Sequence, residues 1–296
     1  MLSILIPVYN YNVSVLVQKL VKQIDENALH AEIIIVDDAS NLFLNENRKL
    51  SLLRNVRYEL LAKNLGRSAI RNYLTKLARF NSFLFIDCDA KVVSDNYLKK
   101  YYDILNQDFD IVCGGLIYQA GVPDRSYLLR WYYGKNRECK TVNDRMKAPY
   151  RSFSSFNFLI KKDVFEKVRF NEEIQSYGHE DTLLGINLKE NRANIVHIDN
   201  PLLHDGLEPA NNFIEKTESS VKNLKRLVEN HSNTNFLKEN ITLVKYVLII
   251  NKIKLGWLIK AFYLLIKKGV LINLKSTKPS LILFDFYKIG FYLTLK

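Results

Sequence analysis

The chain has 296 residues, 48% hydrophobic and 25% charged, with a formal net charge of +12. This allows one large domain or one domain with an appendage; no apolar run reaches the roughly 18 residues of a membrane-spanning helix. Residues 236–296 hold eleven lysines, one Glu and one Asp, a net +9 that leaves +3 for the rest and argues against a general polyanion-binding surface on the main domain.

In chain order, Leu2–Pro7 opens as a strand-like run with no signal-peptide pattern. Val13–Ile24 has helical spacing, and Glu32–Val36 is a second run ending in Asp37-Asp38-Ala39-Ser40. Val56–Leu61 is a third, and Gly66–Phe80 reads as a helix with Ile70, Leu74, Leu77 and Ala78 on its apolar face. Residues 83–93, FLFIDCDAKVV, follow as a strand buried on both faces that runs into Asp87 and Asp89. In extended backbone such an i, i+2 pair points to one side, where two carboxylates repel unless a cation such as Mg²⁺ or Mn²⁺ joins them. The alternative is a strand-end turn whose aspartates cap the next helix. Asp110–Tyr118, interrupted by Gly114-Gly115, reads as a further strand. Strands alternating with helices of this length imply βαβ units and a mostly parallel sheet.

Beyond residue 119 the rhythm changes. Residues 119–150 are rich in Tyr, Arg and Lys and have no clear period. Asn157–Ile160 is a strand, Lys162–Val168 a short helix, and Tyr177-Gly178-His179-Glu180-Asp181 opens a helix to about Asn191. Ile195–Ile198 is a short strand before Pro201-Leu202-Leu203-His204-Asp205-Gly206, and Pro209–Asn230 is a polar helix. A boundary in Glu229–Asn235 would separate a main domain, 1–230, from a basic helical region, 236–296. Cys88, Cys113 and Cys139 lack metal-ligand spacing and read as reduced thiols of a cytosolic protein.

The first strand continues into Pro7-Val8-Tyr9-Asn10, with neither the G-x-G-x-x-G of a dinucleotide fold nor a P-loop. Redox cofactors and ATP hydrolysis are thereby disfavoured. Ser3–Asn10, Ile35–Ser40, Asn64-Leu65-Gly66 with Arg71-Asn72, Asp87-Cys88-Asp89 and Glu180-Asp181 occur in an order and spacing that resemble the family 2 glycosyltransferases. The likeness covers roughly residues 2–206. It implies a GT-A fold, a mixed and mostly parallel sheet flanked by helices, here with a C-terminal helical appendage. It also implies a nucleotide-sugar donor, Mg²⁺ or Mn²⁺, and inverting transfer to a saccharide or lipid-linked acceptor.

The resemblance assigns roles residue by residue. Asp38 would accept the N3–H of a uracil ring, against the alternative of an N-cap, which makes UDP the default nucleotide. Pro7 and Tyr9 would line the base pocket, and Arg71 would approach the nucleotide, with Arg67 one turn earlier on the same face. Asp89 would be the metal ligand, Asp87 a ribose contact or metal support, and His204 a further metal or diphosphate contact. Asp181 would be the general base, supported by Glu180; both also suit an ordinary first helical turn. The competing readings are a degenerate GT-A module that binds a partner, and a nucleotidyltransferase, which lacks here its glycine-rich basic loop.

Ile241–Leu274 reads as helical segments broken near Gly256 and Gly269. Lys245, Lys252, Lys260 and Lys267 fall within a sector of about 80° against a broad apolar face. With Trp257 and several Tyr, this is the pattern of an interfacial helix on anionic lipid, consistent with a peripheral protein at the inner face of a membrane. The alternative is a hairpin packed on the main domain or on a second copy. Lys interleaved with apolar residues, without Arg, disfavours nucleic acid as a partner.

Overall fold

The computed structural model describes residues 1–173, 178–230 and 240–295. The chain divides into two compact units, one of residues 1–119, 138–175 and 183–206, the other of 120–137, 176–182 and 207–296. The proposed boundary at 229–235 falls largely outside the described residues.

In the first unit, strands β1 (Leu2–Val8), β2 (Ala31–Asp37), β3 (Val56–Leu60) and β4 (Ser82–Ile86) pair in parallel in the order β3-β2-β1-β4. The same sheet continues through β8 (Asn157–Lys161), antiparallel to both its neighbours, to β6 (Ile111–Cys113) and β9 (Ile195–His197). The continuous apolar runs follow from this position, because both faces of the sheet are covered. Leu2, Ile4 and Ile6 of β1 enter one core with Leu16, Val17 and Leu20 of helix Ser14–Glu26. Leu5 points to the other, where Phe85 stacks on Phe158 with ring centroids 4.8 Å apart. Burying an aliphatic or aromatic side chain of this kind stabilises by about 1.5–3 kcal/mol.

The buried charge on β2 has its partners. Glu32 accepts from the Ser3 hydroxyl (2.6 Å), the Arg79 amide (2.7 Å) and Arg79 Nε (2.8 Å), so the carboxylate keeps the hydrogen bonds that a buried ion requires.

The expected Gly66–Phe80 helix is Arg67–Leu77. The expected single strand Asp110–Tyr118 is two, because Gly115 takes φ +86° and turns the chain. Its second half, β7 (Leu116–Ile117), leaves the main sheet and pairs with β10 (Leu202–His204), which also carries β5 (Ala90–Lys91). This small β5-β10-β7 sheet brings residues 89 and 204 side by side. Residues 119–150 contain only short helices such as Leu128–Tyr133 and Val142–Met146, which explains their lack of period.

The second unit is helical. Ala210–Asn230 packs through Phe213 and Ile214 on Tyr263 of helix Gly256–Leu274 and on Phe284 and Tyr287 of helix Leu281–Thr294. Tyr287 OH donates to Glu218 in this core. Tyr263 meets Tyr287 while Ser280 N–H bonds Asn273 Oδ1, so the last two helices form an antiparallel hairpin. The break near Gly256 is present, but Gly269 sits inside a continuous helix. No helix among the described residues is long and apolar enough to cross a membrane.

Candidate active site

The loops after β1, β2 and β4 leave the same edge of the sheet, the carboxyl ends of parallel strands where open α/β sheets hold ligands. Side-chain hydrogen bonds clip the first two of these loops together. Asn10 N–H donates to Ser40 Oγ (2.7 Å), and Asn10 Oδ1 accepts from Asn41 N–H (2.8 Å). Tyr9, half-exposed, is left with its ring facing outward, whereas Pro7 is buried within β1.

Asp37 and Asp38 end β2 with different tasks. Asp37 is wholly buried, its carboxylate accepting from Ser40 N–H (2.8 Å) and Tyr58 OH (2.9 Å). Asp38 accepts from Leu65 N–H (2.6 Å) and Gly66 N–H (3.0 Å). It therefore tethers the Asn64-Leu65-Gly66 loop and is not an N-cap of the segment that follows it. Burial raises its pKa, and these two N–H groups only partly offset that.

The backbone at Asp87-Cys88-Asp89 is a turn, with Ala90 N–H donating to the Asp87 carbonyl (3.1 Å). The extended i, i+2 geometry does not hold, and the two carboxylates take separate partners. Asp87 receives Arg71 Nη2 at 2.5 Å. The Arg71 guanidinium is buried, bonds the Arg67 carbonyl (3.1 Å) and lies 5.4 Å from the Phe170 ring centroid. It thus acts on Asp87, and the cation beside that carboxylate is an arginine.

Asp89 lies next to His204, with Oδ2 and Nε2 3.6 Å apart. The β5–β10 pairing and a bond from Asp205 N–H to the Asp89 carbonyl (2.9 Å) fix the approach. A Cβ on Gly206 would collide with the Asp89 carboxylate, so only glycine permits this closeness. The imidazole is sandwiched between the rings of Tyr118 and Phe156, at 5.1 and 5.2 Å and within 14° of parallel. Tyr118 OH in turn donates to Glu138 (2.5 Å).

Asp89 and His204 offer one oxygen and one nitrogen to a divalent cation. No group of three His, Cys, Asp or Glu able to hold a metal exists among the described residues. A site of few protein donors completed by substrate phosphates is how Mg²⁺ is commonly held, and the pair fits that arrangement. Tyr11 and Phe156 were missed by the sequence reading. Burial, with the nearby charges of Asp205 and Asp89, pushes the Tyr11 phenol up to about 12. Neither residue carries a local signal; both are brought in by contacts distant in sequence.

Glu180 and Asp181 open helix Glu180–Glu190 and belong to the second unit. Glu180 is buried and accepts from Gly178 N–H (3.1 Å), while Asp181 is half-buried. Tyr177 lies outside the described residues. His197 is structural, joined to Pro149 O (3.0 Å) and Arg145 Nη1 (3.0 Å). Burial holds its pKa below the ordinary value. The same cause lowers His179 to about 4.

The family pattern described as glycosyl transferase family 2 matches residues 3–169. No curated protein sequence matches the chain. Among solved structures, a mannosyltransferase from Pyrobaculum calidifontis, in complex with GDP-Man and Mn²⁺, is similar with a TM-score of 0.59 and 12% identity over 99% of this chain and 84% of that one. S. aureus TarS 1–349 with UDP-GlcNAc gives 0.53 and 18% over 98% and 89%. Glucosyl-3-phosphoglycerate synthase from Mycobacterium tuberculosis, with Mn²⁺, UDP and product, gives 0.50 and 14% over 77% and 79%. The chain spans 42% of the longer S. aureus TarS structure. These likenesses establish a GT-A fold.

Proposed function

The chain belongs to glycosyl transferase family 2, and from that premise we propose that it moves a sugar from a UDP-linked donor to an acceptor hydroxyl. The acceptor is a growing surface glycan or a lipid-linked saccharide, which puts the reaction at the inner face of a membrane. Transfer is a single displacement that inverts the anomeric carbon. The observation that carries this reading is the meeting of Asp89 with His204 at the strand ends that also carry Tyr9, Asp38 and Asp87.

In this reading Tyr9 stacks on the base and Pro7 shapes the turn that presents it. Asp38 keeps lone pairs free beside its two backbone bonds, enough to accept a uracil N3–H. Asp87, held by Arg71, accepts from the ribose hydroxyls. Asp89 and His204 hold Mg²⁺ or Mn²⁺, which when bound neutralises charge growing on the diphosphate leaving group. Asp181 takes the proton of the acceptor hydroxyl as that oxygen attacks C1, and no covalent nucleophile is needed. Glu180 fixes the start of the helix by its bond to Gly178. The supporting relatives were solved with UDP, UDP-GlcNAc or GDP-Man.

Calorimetric titration with UDP and GDP, each with Mn²⁺, tests the choice of base. UDP should bind more tightly, and Asp38→Asn should weaken it. Equal affinity for both nucleotides would contradict the uracil assignment.

A further inference from the structure

Helix Gly256–Leu274 turns its most apolar arc outward. Tyr263, Val270 and Leu274 form its buried seam against Phe284 and Tyr287. At 100° per residue, Trp257, Leu258, Phe262, Leu264, Leu265 and Ile272 spread over about 160° centred opposite that seam. All six are exposed, Trp257 by 72%, Leu265 by 80% and Ile272 by 73%. Contiguous apolar surface of this kind marks an interaction site.

The lysines are arranged differently from the stripe read in the sequence. Lys260 and Lys267 flank the buried seam, and Lys267 Nζ sits 5.8 and 5.9 Å from the Tyr263 and Tyr287 ring centroids. Lys268 is exposed within the apolar arc, with exposed Lys252 and Lys254 before the helix and Lys275 and Lys278 after it. Asp285, the one acid in residues 240–295, is tied to Arg137 (2.8 Å) and Lys288 (2.7 Å). Among the described residues 240–295 the face thus combines apolar residues with cations, and the single acid there is already paired.

We propose that this face docks on an anionic lipid bilayer, with Trp257, Leu264, Leu265 and Ile272 entering the acyl boundary and Lys268 at headgroup level. Charge selects the occupant. A second copy would set these lysines against their own kind across a two-fold interface, whereas anionic headgroups answer all of them. The inference does not depend on sugar transfer, since the contact uses no residue assigned to that chemistry.

The test is co-sedimentation of the full chain with vesicles of phosphatidylcholine, alone or with phosphatidylglycerol, at low and high salt, with tryptophan emission recorded. Trp131 is buried and Trp257 exposed, so a blue shift on binding reports Trp257. Binding that requires phosphatidylglycerol and weakens with salt is expected. Leu265→Glu, and independently Ile272→Glu, should lower partitioning by about tenfold or more while thermal stability is kept, and Leu265→Phe should retain it. Absent binding, or binding indifferent to lipid charge, overturns the proposal. So does a dimer in lipid-free solution that Leu265→Glu dissociates while the wild-type chain ignores vesicles.

Discussion

Arg71 and Asp87 form a 2.5 Å ion pair whose guanidinium is buried, and the stability of the β4 turn depends on keeping both. Removing one partner of a buried pair leaves an uncompensated charge, at about 3–5 kcal/mol. Arg71→Met should therefore lower the midpoint of denaturant unfolding strongly, and adding Asp87→Asn should recover part of the loss. A single variant as stable as the wild type would show that the pair holds nothing in place. At this scale the acids were legible, because Asp-Cys-Asp at the end of an apolar strand is a local pattern. Their partners were not. Arg71 comes from sixteen residues earlier, and Tyr118 and Phe156 reach His204 only through pairing among distant strands.

Among the elements, helix Glu180–Glu190 carries the reading of the base. Asp181 in its first turn suits both the helix dipole and proton abstraction. Replacing it by Asn should leave UDP affinity nearly unchanged while kcat falls by roughly 10²-fold or more. Parallel loss of affinity and rate would make it a structural acid. The parallel strands and their helices could be read from sequence because apolar runs and 3.6-residue spacing are local. The antiparallel entry of β8 could not, since a strand buried on both faces has the same composition in either direction. The break at Gly114-Gly115 was visible as two glycines, but its consequence, a second sheet bearing His204, depends on where β10 lies.

For the whole molecule, the sequence reads as a main domain, 1–230, followed by a lysine-rich helical tail, 236–296. The tail's orientation was not legible, because helix Gly256–Leu274 is apolar on nearly all sides and the packing of Tyr263 on Tyr287 decides which side is covered. In the proposed function, Asp89 and His204 serve a metal-assisted cleavage of a nucleotide-sugar. This role is tested by mixing the chain with a panel of nucleotide-sugars, with Mn²⁺ or Mg²⁺ or with chelator, and measuring release of nucleoside diphosphate without acceptor. Metal-dependent release from a UDP-sugar is expected, and Asp89→Asn should abolish it without loss of fold. Release at the wild-type rate by Asp89→Asn, or undiminished release in the presence of chelator, would contradict this role.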